Sequence, residues 1–568
     1  MNSLQGKTKI KSRTAAFLLS VLGLIILFAG VAVPAHAQTV TTLYNFSPNG
    51  SNTAPTFPQG TMAQGRDGNL YGISESGNGC CQGIVYKVSP TGAVTSLHAM
   101  LQAEGTNCNG LVLGTDGNFY GTCAQGGAVN GNPGGNIIKV APSGAVTVLH
   151  DFPEVESLTD GCLPRGNPVQ GSDGNFYGTT ESCGANNYGM VYKITPAGVY
   201  TQLYSFQGGS TDVAYPYGSL IQGSDGNFWG TGNQLGLGGG LSGNGGVFKI
   251  SASGKETKVF SFVNALSDGD YPQTGLIQGS DGNFYGTTFA GGSAQFGTVF
   301  KLTPAGVETV LYNFPNQKQG AYPQLPLTQG PNGLLYGIAT DCGSGGCSQA
   351  GLFDITTKGA YSSLYLYPLG QPNSVQPFSP LLLSTNGAFY STTAQGGSHS
   401  AGTFYRLSTT FKPFVSLVPT IAIETTKVGI LGQGFNSSSV VKFGGITATT
   451  RVLTGSTFIL ATVPAGALTG SVTVTTGATT LTSNQTFRVR PTLKTFLPPS
   501  GPVSTTVTIT GTGLKQATKV TFNGTSASFT VISDTQIKAM VPAGATTGKI
   551  LVVTKGGATS STTSFTVN

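Results

Sequence analysis

Charged residues are scarce in this sequence. They make up 9% of its 568 residues, against roughly 25% in an average soluble domain. Surface helices are rich in Ala, Leu, Glu and Lys, and no stretch beyond the first forty residues has that composition with helical spacing. The sequence therefore argues against long helices and predicts an all-β protein, in which its 86 glycines serve short strands joined by tight turns.

Common catalytic motifs are missing as well. The sequence contains no G-x-S-x-G elbow, no phosphate-binding P-loop and no H-E-x-x-H. No Cys-x-x-Cys occurs, and the only histidines after residue 37 are His98, His150 and His399. These absences predict a protein that is not an enzyme and has no metal site and no cofactor.

The N-terminus has the features of an export signal. Four basic residues, at positions 7, 9, 11 and 13, precede an uncharged apolar run over 15–33, which is followed by Ala-His-Ala at 35–37. This pattern predicts a signal peptide over 1–37, with cleavage after Ala37. The alternative is an uncleaved anchor, since the run approaches membrane-spanning length. No second apolar run follows, so we expect a secreted or cell-surface protein that has no membrane span after signal removal.

A repeat of about fifty residues fills most of the chain. Asp-Gly-Asn occurs at 67–69, 116–118, 173–175, 225–227 and 281–283, with degenerate copies at 331–333 and 385–387. The fifth copy shows four strand-like runs: "GLIQG", "NFYGTT", "GTVFKLT" and "ETVLYNF". Asp-Gly is hairpin-turn chemistry, so we interpret this aspartate as a turn residue and not as a metal ligand or acid. Seven such units predict a seven-bladed β-propeller over 38–415.

Ring closure has two candidate strands. The run "TTLYNF" at 41–46 matches the fourth strand of a unit but has no unit before it. The last unit lacks a good match to its own fourth strand, so the N-terminal run could complete it. The run "FKPFVSL" at 411–417 is the alternative.

Eight cysteines in an exported chain predict disulfides. The repeat register places one cysteine before the innermost strand and one after the second strand in two units. It therefore predicts the pairs Cys108–Cys123 and Cys162–Cys183. Of the remaining four cysteines, Cys342 and Cys347 could close locally, and the adjacent Cys80 and Cys81 could form only a strained vicinal bridge.

The same face of the predicted propeller carries aromatic–proline steps, at 57–58, 215–216, 271–272 and 322–323. Tyrosines around a channel mouth stack on sugars and hydrogen-bond their hydroxyls. The candidate ligand-binding residues are accordingly Tyr215, Tyr271, Tyr322, Asp268 and Asp270. The alternative, which we favour, is that each step only positions the start of an inner strand.

After residue 419 the sequence changes character. The segment 429–476 is similar in sequence to the segment 508–555, and both contain "VPAGA" and a "V-x-F-G/N-G" run. Short alternating strands of this kind predict two immunoglobulin-like β-sandwiches, over 416–490 and 491–568.

Two resemblances follow from these motifs. The repeat "GSDGNFYGTT…GTVFKLTPAGVETVLYNF" resembles the choice-of-anchor tandem repeat GloVer-containing proteins of bacteria, over about residues 40–415. That resemblance implies export but no established activity. The C-terminal pair resembles the IPT/TIG domain, which implies a spacer, stalk or adhesion module.

The functional hypothesis is an exported, monomeric, non-catalytic protein that binds polysaccharide or protein and not nucleic acid. Two alternatives stay open. "DGNLYG" is similar to blade motifs of streptogramin-lyase-like propellers, which implies a metal-dependent lyase or hydrolase. The other alternative is a structural component of an extracellular matrix.

Overall fold

The computed structural model describes residues 38–47, 54–77, 83–127, 134–153, 159–236, 244–263, 266–316, 320–340, 342–343, 346–347, 350–367, 377–449 and 451–568. In these ranges the regular structure is β-strand, apart from a single 3₁₀ turn at Gln102–Glu104. Within the same ranges no helix is long and apolar enough to cross a membrane. The predicted signal peptide lies outside them. Val40–Asn568 is one compact unit.

Seven antiparallel sheets, one for each repeat, surround a common axis. We number them blades 1 to 7. From the innermost strand outward, blade 1 consists of Pro55–Gln64, Leu70–Gly77, Ile84–Val88 and Val94–Ala99. Blade 2 consists of Val112–Leu113 with Thr106–Cys108, Phe119–Gln125, Asn136–Val140 and Val146–Asp151, and blade 3 of Val169–Gln170, Phe176–Thr180, Met190–Ile194 and Tyr200–Ser205. Blade 4 consists of Ile221–Gln222 with Gly209–Pro216, Phe228–Gly236, Gly246–Ile250 and Glu256–Ser261.

Blades 5 to 7 follow the same order. Blade 5 consists of Ile277–Gln278, Phe284–Thr288, Thr298–Leu302 and Glu308–Asn313. Blade 6 consists of Thr328–Gln329, Leu335–Ala339, Gly351–Ile355 and Tyr361–Leu366. Blade 7 consists of Leu382–Leu383, Phe389–Thr393, Thr403–Leu407 and Val40–Asn45. Two short pairs lie beside the blades, Gly161–Cys162 with Ser182–Cys183 and Cys342–Gly343 with Gly346–Cys347. The predicted all-β, seven-bladed propeller is confirmed.

The N-terminal strand closes the ring. Val40–Asn45 pairs antiparallel with Thr403–Leu407 and forms the outermost strand of blade 7. Phe46, which follows it, is fully buried and packs edge-on against Tyr86 of blade 1, with ring centroids 5.7 Å apart. The alternative segment joins the first sandwich instead, since Ser416–Val418 pairs with Lys427–Leu431.

The Asp-Gly-Asn turn is held by its own side chains. In blade 5, Asp281 Oδ1 accepts the backbone N–H of Asn283 at 3.1 Å, while Oδ2 accepts the Asn283 amide at 2.8 Å and the Tyr285 hydroxyl at 2.7 Å. Burial alone would raise the pKa of Asp281, but these hydrogen bonds outweigh it and lower that pKa. The other intact copies repeat the arrangement, with Trp229 replacing tyrosine in blade 4. The aspartate is therefore a turn residue.

A glutamine on the innermost strand ties each of five blades to the preceding one. Gln278 of blade 5 accepts the backbone N–H of Ser224 in blade 4 at 3.0 Å and donates to the carbonyl of Gly282 in its own blade at 2.8 Å. The corresponding glutamines are Gln64, Gln170, Gln222 and Gln329. Gln64 spans the closure, because its carboxamide bonds Thr385 of blade 7.

The second strands add aromatic stacking between neighbouring blades. The tyrosine or tryptophan of one blade lies against the phenylalanine of the next, with centroids 3.8–4.6 Å apart. Tyr120–Phe176, Tyr177–Phe228 and Trp229–Phe284 are stacked, and Tyr71–Phe119 and Tyr336–Phe389 are tilted. The phenylalanine and the tyrosine of "NFYG" therefore pack toward opposite neighbours.

Residues 415–568 form two β-sandwiches with separate hydrophobic cores. In the first sandwich, the strands of one sheet lie in the order Ser416–Val418, Lys427–Leu431, Phe458–Thr462 and Arg451–Thr454. Those of the other sheet lie in the order Ile446–Thr447, Val440–Phe443, Val472–Thr476 and Thr479–Thr482. In addition, Ile421–Ala422 pairs in parallel with Arg488–Val489. In the second sandwich, the strands of one sheet lie in the order Thr492–Leu497, Thr506–Thr512, Gln536–Met540 and Phe529–Ser533. Those of the other sheet lie in the order Ser500–Gly501, Gly557–Val567, Gly548–Thr554, Ala517–Phe522 and Thr525–Ser526. The two share one topology.

The first sandwich packs on the propeller face that carries the Asp-Gly-Asn turns, which we call the corner face. Leu431 and Phe458 join the apolar cluster of blades 1 and 2 and are almost fully buried. The guanidinium of Arg66 lies 4.1 Å from the centre of the Phe458 ring. The Thr457 hydroxyl donates to the Arg66 carbonyl.

The contact continues across blades 3 and 4. Arg490, between the sandwiches, donates to the Ser172 hydroxyl at 3.1 Å. Gly557 of the second sandwich lies against the Ser224 carbonyl so closely that a Cβ would approach it to 2.3 Å. The C-terminal pair thus lies on the propeller and does not extend from it as a free stalk, because apolar side chains and glycines complementary to the corners fix its position.

A buried carboxyl lies where the two sandwiches meet. Glu424 is 6% exposed, and its Oε1 accepts the backbone N–H of Gly466 at 2.6 Å. Burial, together with the neighbouring Asp534 of the second sandwich, raises the pKa of Glu424 to about 7. The junction therefore favours the protonated form of this carboxyl.

We expect Gln278→Ala to destabilise the propeller, because the Ser224 N–H and the Gly282 carbonyl lose their partner. The loss in urea unfolding should be about 1–3 kcal/mol. Gln202→Ala, at an exposed position of an outermost strand, is the matched control and should change little. Equal effects of the two substitutions would show that the blade-to-blade bond is not stabilising.

Glu424→Gln tests the sandwich junction. Since the folded pKa of Glu424 is raised, its contribution is complete below about pH 4.5 and is lost as the pH rises through about 7. The variant should therefore lose less stability than the wild type between pH 5 and pH 8, by on the order of 1 kcal/mol. Thermal unfolding at both pH values measures this. Because Glu256 and Glu308 also have pKa values raised to about 7 by burial, only the difference between the two proteins is diagnostic, and identical pH profiles would contradict the account.

Candidate binding face

The propeller face opposite the corners carries the segments that lead into the innermost strands, and we call it the mouth face. Its recurring feature is the aromatic–proline step. At Tyr271, the backbone N–H donates to the carbonyl of Asn244 in the preceding blade at 3.2 Å. The following Pro272 lies on Gly245, where a Cβ would come within 2.5 Å of the proline ring. The step therefore fastens one blade to the one before it.

The same bond recurs around the ring. The donors and acceptors are Phe57 with Ala401, Leu163 with Gly134, Tyr215 with Tyr188, and Tyr322 with Phe296. Three further prolines also lie on a glycine of the preceding blade: Pro58 on Gly402, Pro216 on Gly189 and Pro323 on Gly297. This packing supports the structural interpretation of the aromatic–proline steps.

The residues that make this bond, and Asn107 at the equivalent position of blade 2, adopt a left-handed backbone conformation. The φ angles lie between 51° and 55° at Phe57, Asn107, Leu163, Tyr215, Tyr271 and Tyr322. Such a conformation costs a non-glycine residue roughly 1–3 kcal/mol and persists only where the surroundings impose it. Six blades repeat it, and in each the residue two positions later lines the channel opening.

That opening is a polar cavity of about 370 Å³ to which every blade contributes. Its larger polar lining side chains are Gln59, Asn107, Asn109, Arg165, Asn167, Tyr217, Gln273 and Gln324, and hydroxyl residues complete the polar lining at Thr61, Ser219, Thr274 and Thr340. In the described part of the chain, no side-chain hydrogen bond engages Gln59, Gln273 or Gln324, which are half-buried at equivalent positions. Three carboxamides are thus free to donate to and accept from a ligand.

The charge in the mouth is balanced. Arg165 Nε donates to Glu181 Oε2 at 2.8 Å, and its guanidinium lies 5.6 Å from the centre of the Tyr217 ring. Although burial alone would lower the pKa of Arg165, the hydrogen bond and charge of Glu181 raise it. A ligand at the mouth therefore meets an ion pair, an aromatic ring and neutral amides.

The three candidate tyrosines border this cavity without lining it. Tyr215 packs edge-on against Tyr188 at 5.6 Å, and Tyr322 lies 5.1 Å from Phe289. Burial raises the pKa of Tyr215 and of Tyr271. Sequence reasoning missed the residues that do line the mouth, although one regular signal marks them: most directly follow the proline of the step.

The candidate acids lie beside Tyr271, before the innermost strand of blade 5. Asp268 Oδ2 accepts the backbone N–H of Val263 at 3.1 Å. Asp270 pairs through its backbone with Ala290, and its Oδ1 is buried without a hydrogen-bond partner. Burial and the charge of Asp268 raise the pKa of Asp270.

The cysteines of blades 2 and 3 pair as the repeat register predicts. The structure contains the disulfides Cys108–Cys123 and Cys162–Cys183. Cys342 and Cys347 face each other in strand register, but their side chains are not described, and Cys80 and Cys81 lie outside the described residues. Both disulfides join the start of a blade to the end of its second strand, on the mouth side.

Two of the three histidines in the described part of the chain lie away from the axis. His98 and His150 are on outermost strands, where they contact Glu104 at 2.7 Å and Asp160 at 3.0 Å. His399 is exposed. Among the described residues, no group of three His, Cys, Asp or Glu side chains is placed to hold a metal ion.

Comparisons with known structures give weak global similarity. A fungal alcohol oxidase is 13% identical, with 94% of this chain and 100% of the oxidase covered and a TM-score of 0.36. A luciferin-regenerating enzyme is 16% identical over 52% of this chain and 90% of its own, with a TM-score of 0.31. A surface glycan-binding protein from Prevotella bryantii is 17% identical over 28% and 39%, with a TM-score of 0.21.

Family models match the sequence directly. No curated protein matches it. The IPT/TIG domain model matches residues 491–567, which is the second sandwich. The Gloeobacter/Verrucomicrobia repeat model matches residues 31–238 and 232–429, the whole length of the propeller. Since that match spans well over half of the sequence, the chain belongs to the Gloeobacter/Verrucomicrobia repeat family.

Proposed function

We propose that this protein is an exported, non-catalytic binding protein that recognises a polysaccharide, or a protein, through its mouth face. The observation that carries the proposal is the set of free carboxamides at Gln59, Gln273 and Gln324. They are placed around one axis beside the Tyr217 ring. Polysaccharides present hydroxyls that both donate and accept, and a carboxamide satisfies either role.

The balanced charge of the mouth favours a neutral ligand. Arg165 is already paired with Glu181, so an acidic polymer would have to compete with a bound carboxylate. Aromatic rings at the rim offer apolar contact to sugar faces. Tyr215, Tyr271 and Tyr322 border the mouth and, with Asp268 and Asp270, are candidates for the edge of this binding surface.

The position of the sandwiches supports the choice of face. They cover corners of blades 1 to 4 through Phe458, Arg490 and Gly557. The mouth face is not part of these contacts. In this arrangement the sandwiches are a support that leaves the opposite face available to a ligand.

Export fits the same proposal. The predicted signal peptide and the two disulfides are typical of proteins that work outside the cytoplasm. A lyase of the streptogramin-lyase-like type would need histidines near the axis, whereas His98 and His150 lie on outermost strands. We therefore favour binding over catalysis, with the protein acting as a secreted or surface-held monomer.

Binding of residues 38–568 to a panel of neutral and acidic polysaccharides tests the proposal. We expect saturable binding to a neutral polymer. Gln273→Ala combined with Gln324→Ala should weaken it about tenfold, from roughly 0.5–1.5 kcal/mol for each hydrogen bond lost. Calorimetry or glycan-array titration provides the readout.

Gln485→Ala is the matched control, because this exposed carboxamide lies on the first sandwich. It should bind like the wild type. Tyr271→Ala, compared with the glutamine variant, separates the rim from the mouth. Binding that is unchanged by the glutamine substitutions, or that requires only the sandwiches, would overturn the assignment. The absence of any saturable ligand would favour a structural matrix role.

A further inference from the structure

A second cavity lies on the propeller axis beneath the mouth, and we call it the axial chamber. Its volume is about 430 Å³. Six residues line both cavities: Thr61, Asn167, Ser219, Leu220, Pro326 and Pro380. The chamber walls are mainly apolar, with Met62, Leu113, Leu220, Ile277, Leu327 and Leu382 contributed by six different blades. A cavity of this size falls in the roughly 300–1,000 Å³ range of small-molecule sites.

The first sandwich provides the floor of the chamber. Residues 417–421 line it from the corner-face side, and Leu417, Val418 and Ile421 present further apolar side chains. The chamber is therefore a composite of propeller and sandwich. No apolar segment of the described chain fills it.

The cationic side chain of Arg488 lies beside this floor. Arg488 pairs in parallel register with Ile421, and its backbone N–H donates to the Thr420 carbonyl at 2.9 Å. Its side chain lines a groove of about 220 Å³ between the sandwich and blades 4 to 6. Ile221, Ile277, Leu327 and Thr420 line both the groove and the chamber, so the two spaces adjoin.

The guanidinium of Arg488 lacks a counter-ion. Within the described residues, no carboxylate forms an ion pair with it and no side-chain hydrogen bond satisfies it. Burial lowers the pKa of Arg488, and no neighbouring acid opposes that shift. Two other arginines of this chain have partners, since Arg165 pairs with Glu181 and Arg490 donates to Ser172. A half-buried cation without a partner is costly unless an anion completes it.

We propose that the axial chamber and Arg488 together bind a linear apolar molecule that ends in a carboxylate, of the fatty-acid type. The apolar chain occupies the chamber, and the carboxylate accepts two hydrogen bonds from the guanidinium in the fork geometry that arginine favours. This site is separate from the mouth carboxamides and does not depend on the polysaccharide proposal.

Calorimetric titration of residues 38–568 with dodecanoate and with dodecanol tests the site. Both should bind saturably, and dodecanoate should bind more tightly. Arg488→Gln should weaken dodecanoate at least about tenfold, as expected for a charge-assisted hydrogen bond, and leave dodecanol unchanged. Arg451→Gln, which removes a guanidinium bonded to the Ser437 carbonyl on the same sandwich, should bind both ligands like the wild type.

Leu327→Trp fills the chamber and should weaken both ligands. Should that variant fail to fold, competition in the wild type decides, because dodecanol must displace dodecanoate if both occupy one chamber. The proposal is overturned by an absence of saturable dodecanoate binding, by equal binding in the wild type and Arg488→Gln, or by dodecanoate that dodecanol cannot displace.

Discussion

A glutamine carboxamide that crosses from one blade to the next is the interaction on which the rest of the structure depends. It bonds a backbone N–H in the preceding blade and a carbonyl in its own, at Gln170, Gln222, Gln278 and Gln329, and Gln64 carries it across the closure. Because both atoms of the amide are used, the corners of the two blades that each glutamine joins are fixed relative to one another. Between blades 1 and 2, where Phe458 packs, Arg66 makes the link instead and donates to the Thr115 carbonyl at 2.6 Å. Gly557 packs on the corner of blade 4, which glutamines join to both of its neighbours.

The two faces of the ring serve different purposes as a result. On the corner face, each turn aspartate is hydrogen-bonded within its own turn, and the sandwiches cover the turns of four blades. On the mouth face, blades are joined by residues held at positive φ, such as Tyr215 and Tyr271. This backbone turn places the aromatic residue at the boundary between two blades. The residue two positions later, Tyr217 or Gln273, then lies at the opening. The left-handed backbone at the blade boundary is therefore followed, two residues later, by a polar side chain at the mouth.

Local patterns predicted what depends on local chemistry. The fifty-residue repeat, the Asp-Gly-Asn turn and the register of Cys108 with Cys123 all followed from spacing, because each involves a single unit. The mouth residues did not follow, since which side chain faces the axis depends on a left-handed residue that sequence alone favours only for glycine. The docked sandwiches and the unpaired Arg488 were also beyond prediction. Both arise from contacts between segments hundreds of residues apart, such as Thr457 with Arg66.

The sandwiches occupy the corner face and leave the mouth face accessible. Hydroxyl-radical footprinting of residues 38–568 tests this arrangement, because oxidation reports the exposure of individual side chains. The account predicts that Leu431 and Phe458, which are 4% and 2% exposed, resist oxidation while Tyr217 is labelled, and that a bound polysaccharide protects Tyr217. Ready oxidation of Phe458 and Leu431, or protection at the corners instead of the mouth, would contradict it.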